Sequence, residues 1–319
     1  MAGVPIVPGG KDYTFDESAK YITVEFYRQF LENFYPSTCL TAICNRNFAE
    51  PIKAQGDTVY IRTYVDPTIK EYSKGAKIEY QSTESPSKLL RITEADYWAL
   101  SLDDIDVKQM DLDLLDKLAK GAAKQIKIKQ ETTVFSTLYT KSDAANKGLT
   151  AGAVSASYNL GTTGSPVTVN KLNIIEKIGD CRSVLMEQNI GYEEETWMVA
   201  PEKFYNILMN SELKAAFFSG DSATSTYGNM GLRAKNIRGF NMHISNLIPT
   251  VTDGNYTIYP IVFGQKYGLA LADQLTKTDL IPKLQDTFAS GMRGLFVWGW
   301  DVIKTESIGT LYCVIDDSR

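Results

Sequence analysis

The stretch that most constrains this chain is residues 111–139, which reads as one long helix. Leu115, Leu118, Ala119, Ala122 and Ile126 recur at steps of three and four, the period of a single helical face. After a short polar interruption, Val134, Phe135 and Leu138 are expected to carry on a similar face. No proline breaks the run, and Gly121 is its one weak helix former, at about 1 kcal/mol against alanine. Asp111, Asp113 and Asp116 crowd the start, and Lys117, Lys120, Lys124, Lys127 and Lys129 follow, an order that suits the helix dipole. Asp113–Lys117 and Asp116–Lys120 are acid-before-base pairs four apart, worth about 0.2–0.5 kcal/mol each. The helix would be about 44 Å long. Ordinary globular helices have ~10–14 residues, so an extended, flat molecule is expected rather than a sphere.

A chain of 319 residues with 44% hydrophobic and 22% charged residues can bury a core in one large domain or two ordinary ones. Its net charge of −5 lacks the basic excess of a dedicated nucleic-acid binder. Cys39, Cys44, Cys181 and Cys313 are scattered without zinc-ligand or redox spacing and are expected to be reduced, partly buried thiols. No apolar run reaches the ~18 residues of a membrane helix, and the N-terminus lacks a signal-peptide pattern. A soluble chain made in the cytoplasm, with no membrane partner, is therefore expected.

Residues 1–14 hold Pro5, Pro8, Gly9 and Gly10 and read as an extended arm. Asp16 can cap a helix that runs to about Tyr35, where Pro36 ends it. Gln55-Gly56-Asp57 signals a turn, residues 58–65 read as a strand, and a second strand-like region spans 76–93 with Gly75 near the turn between them. The outer part of this hairpin has few large apolar residues, and an isolated two-stranded hairpin is marginal. Two readings stay open: an arm that lies on a neighbouring subunit, or a mobile surface hairpin.

Residues 97–110 lead into the long helix. Residues 141–170 form a Gly/Ser/Thr-rich connection with short strands around Val154 and Val167. A second amphipathic helix is expected over 170–190, with Leu172, Ile175, Ile178, Val184 and Leu185 inward. A short buried strand follows at 196–199, and Pro201 in a first turn opens a helix to about Leu208. Ser211 caps a further short helix through Phe218, and 219–231 is a polar loop. Strands are expected at 241–245 and 256–263, with a turn at Asp253-Gly254. The apolar run 295–304 is expected to pair with a last strand at 309–315, in a sheet that covers the long helix. No internal repeat stands out.

Motifs for chemistry are missing: there is no GxxxxGK[ST], no GxGxxG after a strand, no HExxH and no GxSxG. The single histidine, His243, alternates with Met242 and Ile244 as an ordinary strand residue does. Asp103, Asp104, Asp106, Asp111, Asp113 and Asp116 suit helix-start electrostatics better than a cation site. Glu193-Glu194-Glu195 reads as a solvated turn, and Gly228 and Gly231 lack the strand and lysine of a phosphate loop. Phe296, Trp298 and Trp300 suit a buried strand face better than a base-stacking stripe. Asn255-Tyr256-Thr257 matches a glycosylation acceptor that no secretion signal supports. No catalytic, cofactor-binding or metal residue is assigned.

Several segments, taken in order, resemble the major capsid proteins of tailed phages. NRNFAEPIKAQGDTVYIR (45–62) resembles the segment before their extended loop, and ADYWALSLDDIDVKQMDLDLL (95–115) the entrance to their spine helix. WMVAPEKFYNILMNSELKAAF (197–217) and GLRAKNIRGFNMHISNLIP (231–249) resemble their axial domain. The similarity runs from about residue 16 to 315, and it is closest to coat proteins of short-tailed phages.

The resemblance implies an α+β chain with the Hong Kong ninety-seven capsid fold. Its parts would be an N-terminal arm and helix (1–45), an extended hairpin loop (46–93), a peripheral domain with the spine helix (94–141), an axial domain (142–270) and peripheral return strands (271–319). It also implies self-assembly into hexamers and pentamers of an icosahedral shell around double-stranded DNA, held without sequence-specific contacts. A separate scaffold protein, a portal protein and a possible decoration protein would be partners, and the virion capsid the location, after synthesis in the cytoplasm of a bacterial host. No cofactor is implied. Intersubunit contact is expected at the hairpin tip: Ile69, Lys70, Glu71, Tyr72, Lys74 and Lys77. The alternatives are an encapsulin-type compartment shell and a soluble α+β enzyme with an unrecognised site.

Overall fold

The structure, a computed structural model, describes residues 38–46, 58–62, 68–75, 77, 78, 80, 87–103, 114–190, 196–211, 236–254, 256–281 and 289–316. The expected helices at 16–35 and after Ser211, the loop at 219–231, the triplet Glu193–Glu195 and Asn255 lie outside the described residues. In chain order the elements are α1 (Leu40–Ile43), β1 (Thr58–Arg62), β2 (Ser87–Arg91), β3 (Glu94–Asp103), α2 (Leu114–Leu138), β4 (Val167–Val169), α3 (Ile174–Glu187), β5 (Thr196–Ala200), α4 (Glu202–Met209), β6 (Asn236–Ile237), β7 (Phe240–Ile244), β8 (Val251–Asp253), β9 (Tyr256–Gln265), β10 (Leu269–Ile281), β11 (Ala289–Val302) and β12 (Ile308–Ile315).

The larger sheet has the order β4-β12-β9-β5-β7-β6, with β8 paired to β9. The pairs β5–β7 and β4–β12 are parallel and the others antiparallel. Every residue of β5 is buried because both faces of the sheet are covered. Met198 and Ala200 join Phe240, Phe263 and Leu311 under α3 and α4. Trp197 and Val199 turn the other way, onto Val134, Phe135 and Leu138 of α2. A strand buried on both faces is nearly all apolar, with Thr196 satisfied by donating to the Gly239 carbonyl, which is why the run Trp-Met-Val-Ala is legible. Pro201 caps α4, one position earlier than expected, where its missing N–H costs nothing. Ile178, Val184 and Leu185 of α3 are buried as expected. Leu172 instead precedes the helix and is exposed, and Val154 stands in an exposed turn rather than a strand.

The smaller sheet is antiparallel, in the order β10-β11-β3. β3 occupies residues read from sequence as a lead into the helix, and β10 fills a stretch where the residues themselves suggested no particular strand, although the resemblance implied return strands over 271–319. The expected pairing of 295–304 with 309–315 does not form. β11 is already flanked by β10 and β3, and a single helical turn, Thr305–Ser307, carries the chain across to the larger sheet. There β12 lies between β9 and β4.

α2 is unbroken over its 25 described residues, about 38 Å. Its apolar residues do not share one face. From Ile126 to Phe135 is nine residues, about half a turn out of phase at 100° each. Accordingly Val134, Phe135 and Leu138 are fully buried between the two sheets, while Ala122 and Ile126 are only half-buried on another side. Among the described residues, no helix is long and apolar enough to cross a membrane.

Candidate functional site

The hairpin is closed at its base by the register Thr58↔Arg91 to Arg62↔Ser87. Ile61 and Leu90 point inward, onto Ala270, Ala272 and Ile303. β2 also crosses the face of β11 at Gly299, where a methyl group would overlap the Arg91 carbonyl and lie 2.8 Å from Ile92 Cα. Glycine is what lets the two backbones approach. The base is thereby fixed to the smaller sheet.

The described residues of the tip are exposed. Ile69, Lys70, Glu71, Tyr72, Lys74 and Lys77 are all exposed, with Ile69 at 96% and Tyr72 at 70%. The chain turns at Lys74-Gly75, and Gly75 adopts φ +91, which favours glycine. Ile78 and Tyr80 are also exposed and extend the apolar part of the tip beyond the residues expected. Their alternation, Ile78-Glu79-Tyr80, was the available signal. On the smaller sheet, Tyr97 and Leu295 are directly paired across β3 and β11 and are likewise exposed.

Behind these surfaces lies a buried polar junction that no local sequence signal announces. Glu131, on α2, has no accessible surface. Its carboxylate accepts from the backbone N–H groups of Cys39 (2.6 Å) and Leu40 (3.0 Å) and from the Ser245 hydroxyl (2.6 Å). One side chain therefore ties the segment around α1, the long helix and the end of β7. The same segment continues onto β10: Asn45 N donates to Leu269 O (2.8 Å) and Leu271 N to Asn45 O (3.1 Å). Arg46 then grips both Asp273 oxygens at 2.7 Å. Burial, reinforced by Glu131, pushes the Cys39 thiol far above its ordinary range, and burial does the same for Cys44, Cys181 and Cys313. All four cysteines are free thiols, and they are buried more deeply than the partly buried thiols expected.

α2 is also pinned to the smaller sheet. Asp96 of β3 accepts from Lys129 and from Trp298 Nε1 (3.0 Å). Partial burial pushes the Asp96 carboxyl up, but these two donors outweigh it and hold it below the usual carboxylate range. Near the end of α2, Lys141 pairs with Asp301 at 2.8 Å and lies 4.3 Å from the Trp300 ring centre. Phe296 and Trp300 are half-buried and Trp298 is buried, all packed toward α2, so this stripe is a core face.

None of this geometry assembles reacting groups. His243 is a half-buried residue of β7, in register with Val199. Among the described residues no cluster of His, Cys, Asp and Glu could hold a metal ion. Asp104, Asp106, Asp111, Asp113, Gly228 and Gly231 lie outside the described residues.

Residues 90–306 match the family model described as phage capsid protein. No curated protein matches the chain. Among solved structures, a chain of Mycobacterium phage Che8 superposes with a TM-score of 0.64 at 21% identity, covering 90% of this chain and 94% of that one. The capsid of the cyanophage P-SCSP1u gives 0.64 at 12% identity over 92% of each chain. The capsid of Ralstonia phage GP4 gives 0.64 at 10% identity over 100% of each. The fold is the α+β Hong Kong ninety-seven capsid fold.

Proposed function

The chain belongs to the phage capsid protein family, so it is a structural protein of the virion shell and not an enzyme, and on that premise we propose that it is the major coat subunit, closing as hexamers and pentamers around double-stranded DNA. The observation that carries the reading is the hairpin. Its base is locked to the subunit by Ile61, Leu90 and the Gly299 crossing, while its tip presents Ile69, Tyr72, Ile78 and Tyr80 to solvent. Ordering such a tip costs about 1–2 kcal/mol per residue in backbone entropy, and among the described residues its apolar side chains are left exposed rather than buried against the subunit. A neighbouring subunit can bury them. The tip residues Ile69, Lys70, Glu71, Tyr72, Lys74 and Lys77 then act as an intersubunit clamp.

The finer organisation follows the same reading. Residues 1–45 serve as the arm, 46–93 as the extended loop, 94–141 and 271–319 as the peripheral domain and 142–270 as the axial domain. A scaffold protein from a separate chain directs assembly, a portal protein occupies one vertex, and a decoration protein is a candidate for the outer surface. The order of sequence segments supports a place near the short-tailed-phage coats. Negative-stain microscopy of the purified protein tests the function: round shells are expected, and only small discrete particles would overturn it. Native particles that hold protein cargo and no DNA would favour a compartment shell.

A further inference from the structure

Two positions beside α3 hold residues that their own backbone disfavours. Gly179 lies in the interior of α3, where glycine is a weak helix former. A methyl group there would meet nothing nearer than Arg238 Nη1, at 4.0 Å, so packing among the described residues does not call for glycine. Arg238 and Gly239 form the two-residue turn between β6 and β7, with φ +51 and +87. Such a turn favours asparagine or glycine at its first position. Both residues line one open cleft of about 520 Å³, with Leu172 and Ile175 as its apolar part. Leu172 is 76% exposed. Arg182 is anchored in the cleft by donating to Thr196 Oγ1 at 2.6 Å. Arg238 is exposed and makes no hydrogen bond or ion pair among the described residues. Glu176 and Asp180 share the cleft, so it is not built for a free anion. Apolar, cationic and anionic groups together suit a protein surface.

A feature of complementary chemistry stands at the other end of α3. Glu187 accepts from the backbone N–H groups of Val154 (2.8 Å) and Ser155 (3.0 Å). The clasp fixes a turn on which Val154 is 81% exposed. An apolar side chain is thus held out beside a carboxylate. Glu176, Asp180, Ser183 and Glu187 recur at steps of four and three, so cleft and turn lie along one face of the helix. We propose that the Val154 turn of one subunit seats in the α3 cleft of the next subunit of the same hexamer or pentamer. The contact deepens the capsid reading above and rests on it. Val154 meets Leu172 and Ile175, Gly179 lets the turn approach the helix backbone, and Glu187 faces Arg238. Turn and cleft are different surfaces of one chain, so the contact is heterologous, the kind that closes rings.

The test assembles the full-length V154C/L172C variant into shells, oxidises it and separates the unfolded chains on a non-reducing gel. A disulfide needs Cα atoms about 4.4–6.8 Å apart. Within one subunit the two sites lie at opposite ends of α3, about 20 Å along its axis, so the bond can form only between copies. The native cysteines are buried and do not compete. A ladder that ends at five and six chains is expected, with monomers from each single-cysteine variant. Shells that give no cross-link, products that stop at two chains, or products that run on past six overturn the proposal. A second measurement does not depend on the cysteines. Gly179→Leu and Arg238→Asn each relieve a local backbone cost, so neither should lower the urea midpoint of the free subunit. Both should raise the concentration needed for shells several-fold. Normal assembly of Gly179→Leu, or a lowered midpoint in either variant, also overturns the proposal. Failure of the wild type to form shells would instead overturn the capsid reading.

Discussion

Ser245 and Glu131 stand 114 positions apart in sequence, yet the Ser245 hydroxyl donates to the Glu131 carboxylate across 2.6 Å in a site closed to solvent. With the backbone amides of Cys39 and Leu40 donating to the same carboxylate, three N–H and O–H donors depend on one side chain, and the Cys39 thiol adds a weaker contact at 3.7 Å. Glu131→Ala strands all three at about 1–3 kcal/mol each, so the loss should exceed ~3 kcal/mol. Ser245→Ala removes one donor and should cost about 1 kcal/mol. Urea midpoints of the unassembled subunit measure both. Equal losses would mean that Ser245 alone sustains the junction.

The Asp96 carboxyl makes stability depend on pH in a definite direction. Its folded-state pKa lies below the unfolded value, so its contribution is complete above the unfolded pKa and disappears as pH falls through the folded one. Wild type should therefore exceed Asp96→Asn by a roughly constant margin above about pH 5, narrowing steadily below about pH 4. The margin should be about 1 kcal/mol, because Lys129 is largely exposed. A margin that widens on acidification would contradict the assignment.

Gly299→Ala places a methyl group on the Arg91 carbonyl. Overpacking of this kind costs about 1–3 kcal/mol. The backbone of β2 must shift, so amide exchange in Ser87–Arg91 should accelerate more than exchange in β5. Uniform acceleration would show a global loss without hairpin displacement.

At the hairpin tip, stability and assembly should separate. Ile69→Ser with Tyr72→Ser should leave the isolated subunit within ~0.5 kcal/mol of wild type, because both side chains are already in water. The concentration needed for shell formation should rise, and deletion of residues 69–77 should weaken or abolish shells. Unaltered assembly of the deletion variant would remove the clamp from consideration.

The four cysteines should be silent to a thiol reagent in the native subunit and should all react after unfolding, since each is buried with its thiol held protonated. Rapid labelling of a native thiol would indicate local opening.

How much of this was legible depended on whether the deciding contacts were local. The long helix and the strand 196–200 announced themselves because periodicity and a continuous apolar run are properties of neighbouring residues. The phase of the helix was misread: Ile126 and Phe135 look alike in an apolar pattern yet point opposite ways. β3 was missed because its core-facing side mixes Asp96 with Trp98, and Asp96 is satisfied by Lys129 and Trp298 from distant elements. The 295–304 and 309–315 strands suggested a hairpin because they are adjacent, but each has its partners elsewhere. The Glu131 junction had no local signature at all, since its donors lie 91, 92 and 114 positions away.

The placement of β12 has a consequence in time. β4, β5, β7 and β9 all leave the ribosome before β12 does, and β4 has no other strand partner among the described residues. A nascent subunit therefore holds the edge of β9 and the apolar underside of α3 open through the synthesis of β10 and β11. Pairings of such long sequence separation close slowly. The polypeptide is most vulnerable to sticking to its siblings just before the strand that seals it is made, in a cell that is making the same polypeptide many times over.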